Sequence, residues 1–291
     1  MTHQLEEAVK GFRTWIRLLN YSESNAYNSP KKAEEFLLFA FHEGRSTIKD
    51  LDRELTQKFF EHLSTRSNQR RAGGLSMCSL WNYRYSLNLF ARYLRETGQA
   101  HFVIDEILKR RLLIPKEILT PREIKNLYDA TEDNALGLRD KAMLSVFYGC
   151  GVRRNEGAHL EVKDVLLERK TLYVRKGKGY KERYVPMTGK VKDDLQNYLM
   201  QGRPELLNKK PDPQKLFVNV AGKGMGAAAM YVRIQSLKEQ AKITRPMGLH
   251  TLRHSIATHL LQSGMKLEQI AKFLGHSTLE STQIYTHIAQ V

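Results

Sequence analysis

The sequence predicts a mainly α-helical protein of two domains with one small antiparallel β-sheet. Through most of the chain, apolar residues recur every three or four positions, which is the spacing of amphipathic helices. Only the segment 164–187 alternates polar and apolar residues as half-buried strands do. A boundary at 111–118, in the run RLLIPKEIL, separates an all-helical first part from the rest. We therefore predict domains over 1–110 and 119–291, joined by a linker.

The first domain is predicted to be a small helical bundle. Helical runs such as AEEFLLFAFHEG are separated by polar turns such as SESNAYNSP. In the segment LSMCSLWNYRYSLNLFARYL, one apolar stripe consists of Leu80, Tyr83, Leu87, Phe90 and Leu94. The spacing of these residues predicts one long amphipathic helix whose opposite face is polar.

Basic residues mark two places in this domain. The stretch TRSNQRRAGG contains glycines and predicts a flexible surface loop, in which Arg66, Arg70 and Arg71 could contact a phosphate backbone. Arg84 lies on the polar face of the long helix. These four side chains are therefore candidates for contact with a polyanion.

The second domain begins with a well-marked helix. Thr120 is followed by Pro121 and then by Glu123, which is the pattern of a capping box with proline at the first helical position. From 164 to 187, short β-rich runs flank the turns ERK and GKGYK, which predicts three short antiparallel strands. The rest of the chain returns to helical spacing.

The composition favours a polyanionic partner and argues against two classes of protein. The 291-residue chain carries 47 Lys and Arg against 31 Asp and Glu, a formal net charge of +16, and both domains are basic. Cys78 and Cys150 lie in apolar or aromatic neighbourhoods, which predicts reduced core thiols and no disulfide scaffold. No apolar run reaches the length of a signal peptide or a membrane span, so we predict a cytoplasmic protein.

The run HTLRHSIATHLL concentrates three histidines beside an apolar face. His250 and His254 have the spacing of helix-borne zinc ligands, but Thr251 stands where a zinc protease needs glutamate, so we predict no metal site. His254 and His259 are better explained by helix packing or local hydrogen bonds. His250 and Arg253 share a helix face, and together they could handle a phosphate group.

Four motifs resemble the tyrosine recombinase/integrase family, in particular its Xer-like and phage-integrase-like members. GVRRNE, residues 151–156, resembles the first arginine motif, and GKGYKERYVP resembles the lysine turn between two strands. The H-x-x-R motif runs from His250 to Arg253, and LGHSTLESTQIYTHI resembles the C-terminal histidine and tyrosine motif. The resemblance runs from about Leu119 to the C-terminus. It implies a catalytic set of Arg153, Lys178, His250, Arg253, His276 and Tyr285.

In this family a tyrosine cuts DNA, and the resemblance implies which residues move the protons. Tyr285 would hold the scissile phosphate as a 3′-phosphotyrosine ester, which keeps the bond energy without ATP. Because a free phenol has a pKa of about 10, Tyr285 needs a base, for which His250 is the usual candidate. Lys178 is implied as the general acid for the leaving 5′-oxygen. Lys176 and Lys181 share its turn, and any of the three could instead bind backbone phosphate.

The other motif residues are implied to stabilise charge and to orient the site. Arg153 and Arg253 would clamp the non-bridging oxygens of the phosphate as negative charge develops on them. His276 would add a hydrogen bond to the phosphate. Glu156 would orient Arg153 or the neighbouring helices.

The resemblance also implies an architecture and partners. The helical domain 1–110 resembles the core-binding, SAM-like domain of the family, and with the catalytic domain 119–291 it would form a two-domain clamp on double-stranded DNA with paired core sites. The assembly would be a homotetramer, or a heterotetramer with a paralogue, associated with the nucleoid and without metal or cofactor. The predicted DNA-binding residues are Arg66, Arg70, Arg71, Arg84 and Lys181.

One departure from the family pattern bears on assembly. Xer-like members continue past the tyrosine with a tail that docks onto a neighbouring subunit, whereas Val291 ends this chain six residues after Tyr285. We therefore expect either other contacts between subunits or a shortened chain. No arm-binding domain precedes the helical domain, so we expect a simple core-site enzyme.

Three further functions stand beside a site-specific recombinase for DNA integration, inversion or resolution. A type IB topoisomerase uses the same tyrosine chemistry as a monomer and needs no paired sites. A sequence-specific DNA-binding protein would occupy its sites without cutting them. A metal-dependent hydrolase would lose activity to a chelator.

Overall fold

The chain folds as two compact units, Met1–Leu113 and Ile114–Val291. The computed structural model describes residues 1–67, 74–104, 118–175 and 182–275. Most of these residues are helical, and a three-stranded antiparallel sheet lies in the second unit. The predicted fold class, mainly α with a small antiparallel sheet, is confirmed. Apart from Ile118, the predicted linker 111–118 lies outside the described residues.

In its described residues, 1–67 and 74–104, the first unit has four α-helices around an aromatic core. Four phenylalanines, one from each helix, are fully buried: Phe12, Phe36, Phe59 and Phe90. Edge-to-face contacts join them in pairs, with ring centroids 5.2 Å apart for Phe36 and Phe59 and 5.3 Å apart for Phe12 and Phe90. The helices are α1 (His3–Leu18), α2 (Glu23–His42), α3 (Arg53–Thr65) and α4 (Met77–Glu96).

The apolar stripe predicted for the long helix is the buried face of α4. Leu80, Leu87, Phe90 and Leu94 are buried. Tyr83 is half-buried, and its hydroxyl donates to Glu35 on α2 over 2.6 Å. The helical period of the sequence was therefore sufficient to identify this face.

The structure differs from the sequence prediction at the start of α2. The polar run SESNAYNSP, predicted to be a turn, supplies the cap and the first two turns of the helix. The hydroxyl of Ser22 accepts from the backbone N–H of Asn25, which starts the helix. Ser29 and Pro30 are buried, and Ser29 accepts a hydrogen bond from Ser86 on α4. Packing against α4 therefore outweighs the local preference of these residues for a turn.

The two cysteines occupy opposite environments. Cys150 is buried in the second unit, and burial raises the pKa of its thiol to about 12. Cys78 is exposed, so its predicted core position was wrong. Cys78 lies two residues before the buried Leu80 on α4. Two helical residues span roughly 200° of rotation, which turns Cys78 away from the core.

Counted over the described residues, the second unit has eight α-helices and the sheet. They pack around a main core and around a smaller cluster of Ala257, Ile270 and Leu274. Two of the helices continue through a π-helical turn, one at Ser145–Gly149 and the other at Tyr198–Gly202. The helices are α5 (Pro121–Asp129), α6 (Ala135–Leu144), α7 (Arg154–His159), α8 (Gly189–Asn197), α9 (Arg203–Leu207), α10 (Ala227–Gln240), α11 (Leu249–Gln262) and α12 (Leu267–Leu274).

The predicted capping box opens the second unit. The hydroxyl of Thr120 accepts from the backbone N–H of Glu123 over 3.2 Å, and the Glu123 carboxylate accepts from the backbone N–H of Thr120 over 2.8 Å. The N–H of Leu119 donates to the Ser255 hydroxyl on α11 over 2.8 Å. The start of α5 is thereby fixed to α11, the helix that carries the H-x-x-R motif.

The three predicted strands form one antiparallel sheet in chain order. β1 (Val165–Leu166) pairs with β2 (Thr171–Val174), which pairs with β3 (Arg183–Pro186). Leu172 of β2 lies opposite Val185 of β3, and both are buried. On the outer face Tyr173 lies opposite Tyr184, with ring centroids 4.9 Å apart.

Candidate active site

Arg153 and Arg253 come from separate segments and meet in the second unit. Arg153 is the N-cap residue of α7, in extended backbone, and its side chain is 17% exposed. Arg253 lies on α11, and its side chain is 3% exposed. The sequence separates them by about a hundred residues, so their meeting depends on the packing of α7 and α11.

Glu156 is the carboxylate at the centre of this site. It occupies the third position of α7, from which its Oε2 accepts the backbone N–H of Arg153 over 2.8 Å. Its Oε1 accepts from Nη1 of Arg153, also over 2.8 Å. The same Oε2 lies 4.0 Å from Nη1 of Arg253. The local turn at the start of α7 thus places Glu156 between both arginines.

A third arginine, Arg183, completes the cluster and was missed by the sequence analysis. Its Nη1 and Nη2 donate to the two Glu156 oxygens over 3.1 and 2.9 Å. Its side chain is 8% exposed. The sequence contained one indication of this position. Side chains alternate between the two faces of a strand, so Arg183, two residues before the core residue Val185 on β3, lies on the same inward face. The motif GKGYKERYVP contains Arg183, but the resemblance implied roles only for its lysines.

The three arginines also bind the end of α12. The carbonyl groups of residues 273, 274 and 275 each accept from a different guanidinium group. Nε of Arg183 donates to the first over 3.2 Å, Nη2 of Arg253 to the second over 2.7 Å, and Nη2 of Arg153 to the third over 3.1 Å. The C-terminal end of a helix carries partial negative charge, which suits three cations.

Two glycines allow the arginines to approach so closely. Gly151 has φ +58°, and its carbonyl accepts from Nη1 of Arg253 over 2.5 Å. A Cβ atom there would lie 2.8 Å from a methyl carbon of Leu274. Gly275 has φ +66°, and a Cβ there would lie 2.8 Å from Cδ of Arg183. Side chains at these two positions would therefore be both strained and crowded.

The buried carboxylate of Glu156 is held in its charged form by the guanidinium groups around it. Burial alone would raise the pKa of Glu156, but hydrogen bonds from Arg183 and Arg153, together with the charge of Arg183, lower it to about 2. Among the described residues, three guanidinium groups lie around this one carboxylate. Such a basic cluster suits an anion such as a DNA phosphate.

Replacing Glu156 by Gln is expected to destabilise the protein by about 3 kcal/mol near pH 7, the equivalent of its pKa shift. A carboxylate with a lowered pKa stabilises the fold above its ordinary pKa near 4.5, and that contribution disappears as the pH falls toward 2. Urea unfolding of wild type and Glu156→Gln at pH 7, 4 and 3 would measure it. A stability difference that does not change with pH would contradict this role of the carboxylate.

His250 and His259 lie at different depths on α11. His250 is exposed in the first turn. Nδ1 of His259 lies 2.9 Å from the hydroxyl of Tyr148, and burial lowers the pKa of this histidine. His259 therefore packs against Tyr148, and its hydrogen bond reaches a residue 111 positions away in the sequence.

Several predicted residues lie outside the described parts of the chain. They are Arg70, Arg71, Lys178, Lys181, His276 and Tyr285. Of the two predicted DNA-binding arginines that are described, Arg66 forms an ion pair with Glu35 and donates to the Tyr83 hydroxyl over 3.1 Å. The guanidinium carbon of Arg84 lies 5.3 Å from the centre of the Trp81 ring. Both side chains are thus anchored on the first unit.

Membrane spans and metal clusters are both absent from the described residues. None of their helices is long and apolar enough to cross a membrane. They also bring together no group of three or more histidine, cysteine or acidic side chains that could hold a metal ion.

The sequence is similar to curated tyrosine recombinases over most of its length. The sequence model of the phage integrase family matches residues 117–290. The tyrosine recombinase XerC of Oceanobacillus iheyensis is 34% identical over 299 residues, which cover 99% of this chain and 93% of that protein. The tyrosine recombinase XerD of Pseudomonas putida is 38% identical over 251 residues, which cover 84% of this chain and 80% of that protein.

Solved structures share the fold. One is the crystal structure of a XerH site-specific recombinase bound to a palindromic difH substrate, in a post-cleavage complex. It matches this chain with a TM-score of 0.71 and 21% sequence identity, and the match covers 100% of this chain and 95% of the XerH chain. A lambda integrase dimer bound to a COC′ core site matches with a TM-score of 0.69 at 14% identity, over 96% of this chain and 94% of its own. The match to the family model and to the curated recombinases disfavours a topoisomerase or a non-cutting DNA-binding protein. The chain belongs to the phage integrase family and is a tyrosine-type site-specific DNA recombinase.

Proposed function

We propose that this recombinase cuts and rejoins DNA at paired core sites as a tetramer, with Tyr285 as its nucleophile. One observation supports the site most strongly. Arg153 and Arg253 come from distant segments, yet they share the carboxylate of Glu156 and donate to neighbouring carbonyl groups at the end of α12. Two guanidinium groups fixed side by side are what a phosphate in transesterification requires.

The proposed cleavage step exchanges one phosphate ester for another. The Oη atom of Tyr285 attacks the scissile phosphorus, the bond to the 5′-oxygen breaks, and a 3′-phosphotyrosine forms. His250, exposed at the start of α11, takes the phenolic proton. Lys178 gives a proton to the leaving 5′-oxygen. Religation to a strand from the partner site reverses these steps, so no external energy source is consumed.

The arginines stabilise the charge that develops in this step. The pentacovalent phosphate carries more negative charge on its non-bridging oxygens than the diester does, so preorganised donors bind it more tightly. Arg153 and Arg253 supply these donors, Glu156 holds Arg153 in place, and His276 adds one hydrogen bond. The contacts that hold both arginines beside Glu156 and the end of α12 support this assignment.

The first unit is proposed to grip DNA as the core-binding domain, residues 1–110. Arg70, Arg71 and Arg84 are proposed to contact the backbone, together with Lys181 from the second unit. For Arg66, the ion pair with Glu35 and the hydrogen bond to Tyr83 support a second role, which is to hold the end of α3 against α2 and α4.

Four subunits are proposed to act on two paired duplexes, each as a two-domain clamp. They are copies of this chain, or copies of this chain and a paralogue, in association with the nucleoid. Exchange of strands between two sites requires two cleaved strands to be close in space. The outcome, DNA integration, inversion or resolution, then depends on the placement of the sites.

A two-site assay tests the proposal. The core site is first selected by the protein from a library of random-sequence duplexes. Supercoiled plasmids that carry two directly repeated copies, or a single copy, are then incubated with the protein. We expect the two-copy plasmid to yield two smaller circles and the single-copy plasmid to keep its size.

Other outcomes would contradict the proposal in distinguishable ways. Relaxation of both plasmids without smaller circles would indicate a topoisomerase. A footprint on the selected site, with neither circles nor a covalent adduct on a nicked duplex, would indicate a DNA-binding protein. Linear products that a chelator suppresses would indicate a metal-dependent hydrolase.

A further inference from the structure

Arg183 makes an unusual set of contacts for a strand residue. Its guanidinium group donates to both oxygens of Glu156 and, through Nε, to the carbonyl group of Phe273 at the end of α12. Its side chain is 8% exposed. It lies in the motif GKGYKERYVP without belonging to the catalytic set that the resemblance implies, and yet it touches the partner of Arg153.

We propose that Arg183 is a positioning residue for strand cleavage, which neutralises Glu156 so that Arg153 and Arg253 remain available to the scissile phosphate. This inference rests on the proposed function of those two arginines. Arg183 is not proposed to touch DNA. It acts through Glu156 and through the end of α12.

The first argument is the geometry of the pairing. Arg183 binds Glu156 through two parallel hydrogen bonds, which is the strongest arrangement between a guanidinium group and a carboxylate. The side chain of Arg153 donates to only one of these oxygens, and Nη1 of Arg253 lies 4.0 Å from the other. Arg183 is therefore the side chain that holds both oxygens of Glu156 in this cluster.

The second argument concerns what Glu156 would do without Arg183. A carboxylate whose side chain is 5% exposed cannot remain unpaired at low cost. Nη1 of Arg253 is 4.0 Å from Oε2 of Glu156, near enough to move into contact. Arg253 would then leave the carbonyl groups that now hold it, and Arg153 would be bound more tightly by the same carboxylate.

The third argument is connectivity. Arg183 begins β3, directly after the segment that carries Lys178 and Lys181. Its Cδ is packed so closely against Gly275 that a Cβ there would lie 2.8 Å away. Gly275 is followed by His276. One planar guanidinium with donors on two edges therefore links β3, α7 and α12, which the single ammonium of lysine cannot do.

The test compares Arg183→Gln, Arg183→Lys and the double variant Arg183→Gln with Glu156→Gln. The probe is a nicked duplex that carries the selected core site and traps the covalent adduct. The rate of adduct formation is measured with the protein in excess, DNA binding is measured on the intact duplex, and all assays run well below the unfolding temperature of each variant.

A matched control is available in Arg203. This arginine is equally buried, donates to both oxygens of Asp212, and also donates to the carbonyl groups of Lys215 and Leu216. Arg203→Gln removes the same kinds of contact at a place away from the cluster. It reports how much a purely structural loss changes the rate of cleavage.

We expect Arg183→Gln to slow adduct formation by about 10²-fold, the loss typical of a catalytic group misplaced by about 1 Å, with DNA binding close to wild type. Arg183→Lys keeps the positive charge but loses the two parallel donors of the guanidinium group. Its rate of adduct formation should therefore lie between those of the wild type and Arg183→Gln. The double variant should cleave about tenfold faster than Arg183→Gln, because a neutral amide in place of the Glu156 carboxylate no longer competes for the arginines. Arg203→Gln should cleave near the wild-type rate.

Two results would overturn the inference. One is a wild-type rate for Arg183→Gln, and the other is a double variant no faster than Arg183→Gln, since a merely structural role predicts no rescue. If the wild type itself forms no adduct, the proposed function fails, and this inference fails with it.

Discussion

Replacing Tyr285 by Phe is expected to abolish the covalent protein–DNA adduct and to leave DNA binding near the wild-type level. The substitution removes one oxygen atom and keeps the ring. That oxygen is the proposed nucleophile, and a phenyl ring has no group that can form an ester with phosphate. The expected effect is therefore loss of adduct below detection.

The measurement uses the nicked duplex with the selected core site, followed by a denaturing gel. Tyr184→Phe is a suitable control, because Tyr184 is 62% exposed on the outer face of the sheet, where its ring contacts Tyr173. We expect that control to form the adduct as the wild type does. An adduct that persists in Tyr285→Phe would show that another residue is the nucleophile.

Replacing Arg253 by Gln is expected to lower the rate of strand cleavage by about 10²–10³-fold, the range found when one preorganised donor to developing charge is removed. Arg253 is a buried donor to backbone carbonyl groups in this structure. Its Nη1 donates to the carbonyl group of Gly151 over 2.5 Å and its Nη2 to that of Leu274 over 2.7 Å. These bonds fix the guanidinium plane before DNA arrives, so no reorganisation is needed during the reaction.

The same substitution carries a structural cost that must be separated from the catalytic one. Two buried carbonyl groups lose their donor, at roughly 1–3 kcal/mol for each group left unsatisfied. Arg203→Gln again serves as the control, because Arg203 also donates to two carbonyl groups in a buried setting. Thermal unfolding measures the stability loss, and single-turnover cleavage below the unfolding temperature measures the catalytic loss.

The prediction fails if Arg253→Gln and Arg203→Gln slow cleavage equally. Arg253 would then contribute only to stability, and the cluster would need another partner for the phosphate. A rate loss in Arg253→Gln alone, at unchanged DNA binding, would indicate that its interaction is strengthened in the transition state.

The helices and strands were largely predictable because local rules govern them. The capping box at Thr120 and Glu123 needs only the residues of one helical turn, and it is present as predicted. The stripe on α4 follows from a period of 3.6 residues. The prediction of a turn at Ser29 and Pro30 was wrong, because packing against α4 stabilises these residues as part of α2.

The identities of the catalytic candidates came from the resemblance, and four motifs in the expected order carried it. The contacts that these residues make in the folded protein could not be predicted from the motifs. The contact between Arg153 and Gly275 spans 122 positions, and that between Arg253 and Gly151 spans 102. Nothing in either local segment specifies such a partner.

The fold class, the main helices and strands, and the family could be predicted from the amino-acid sequence, because periodicity, caps and motifs are properties of short segments. The sharing of Glu156 by three arginines, the presence of Arg183 among them, and the contacts of all three with the end of α12 became visible in the folded chain. Hydrogen bonds and charge pairing depend on distance in space, and the packing of β3, α7, α11 and α12 sets those distances.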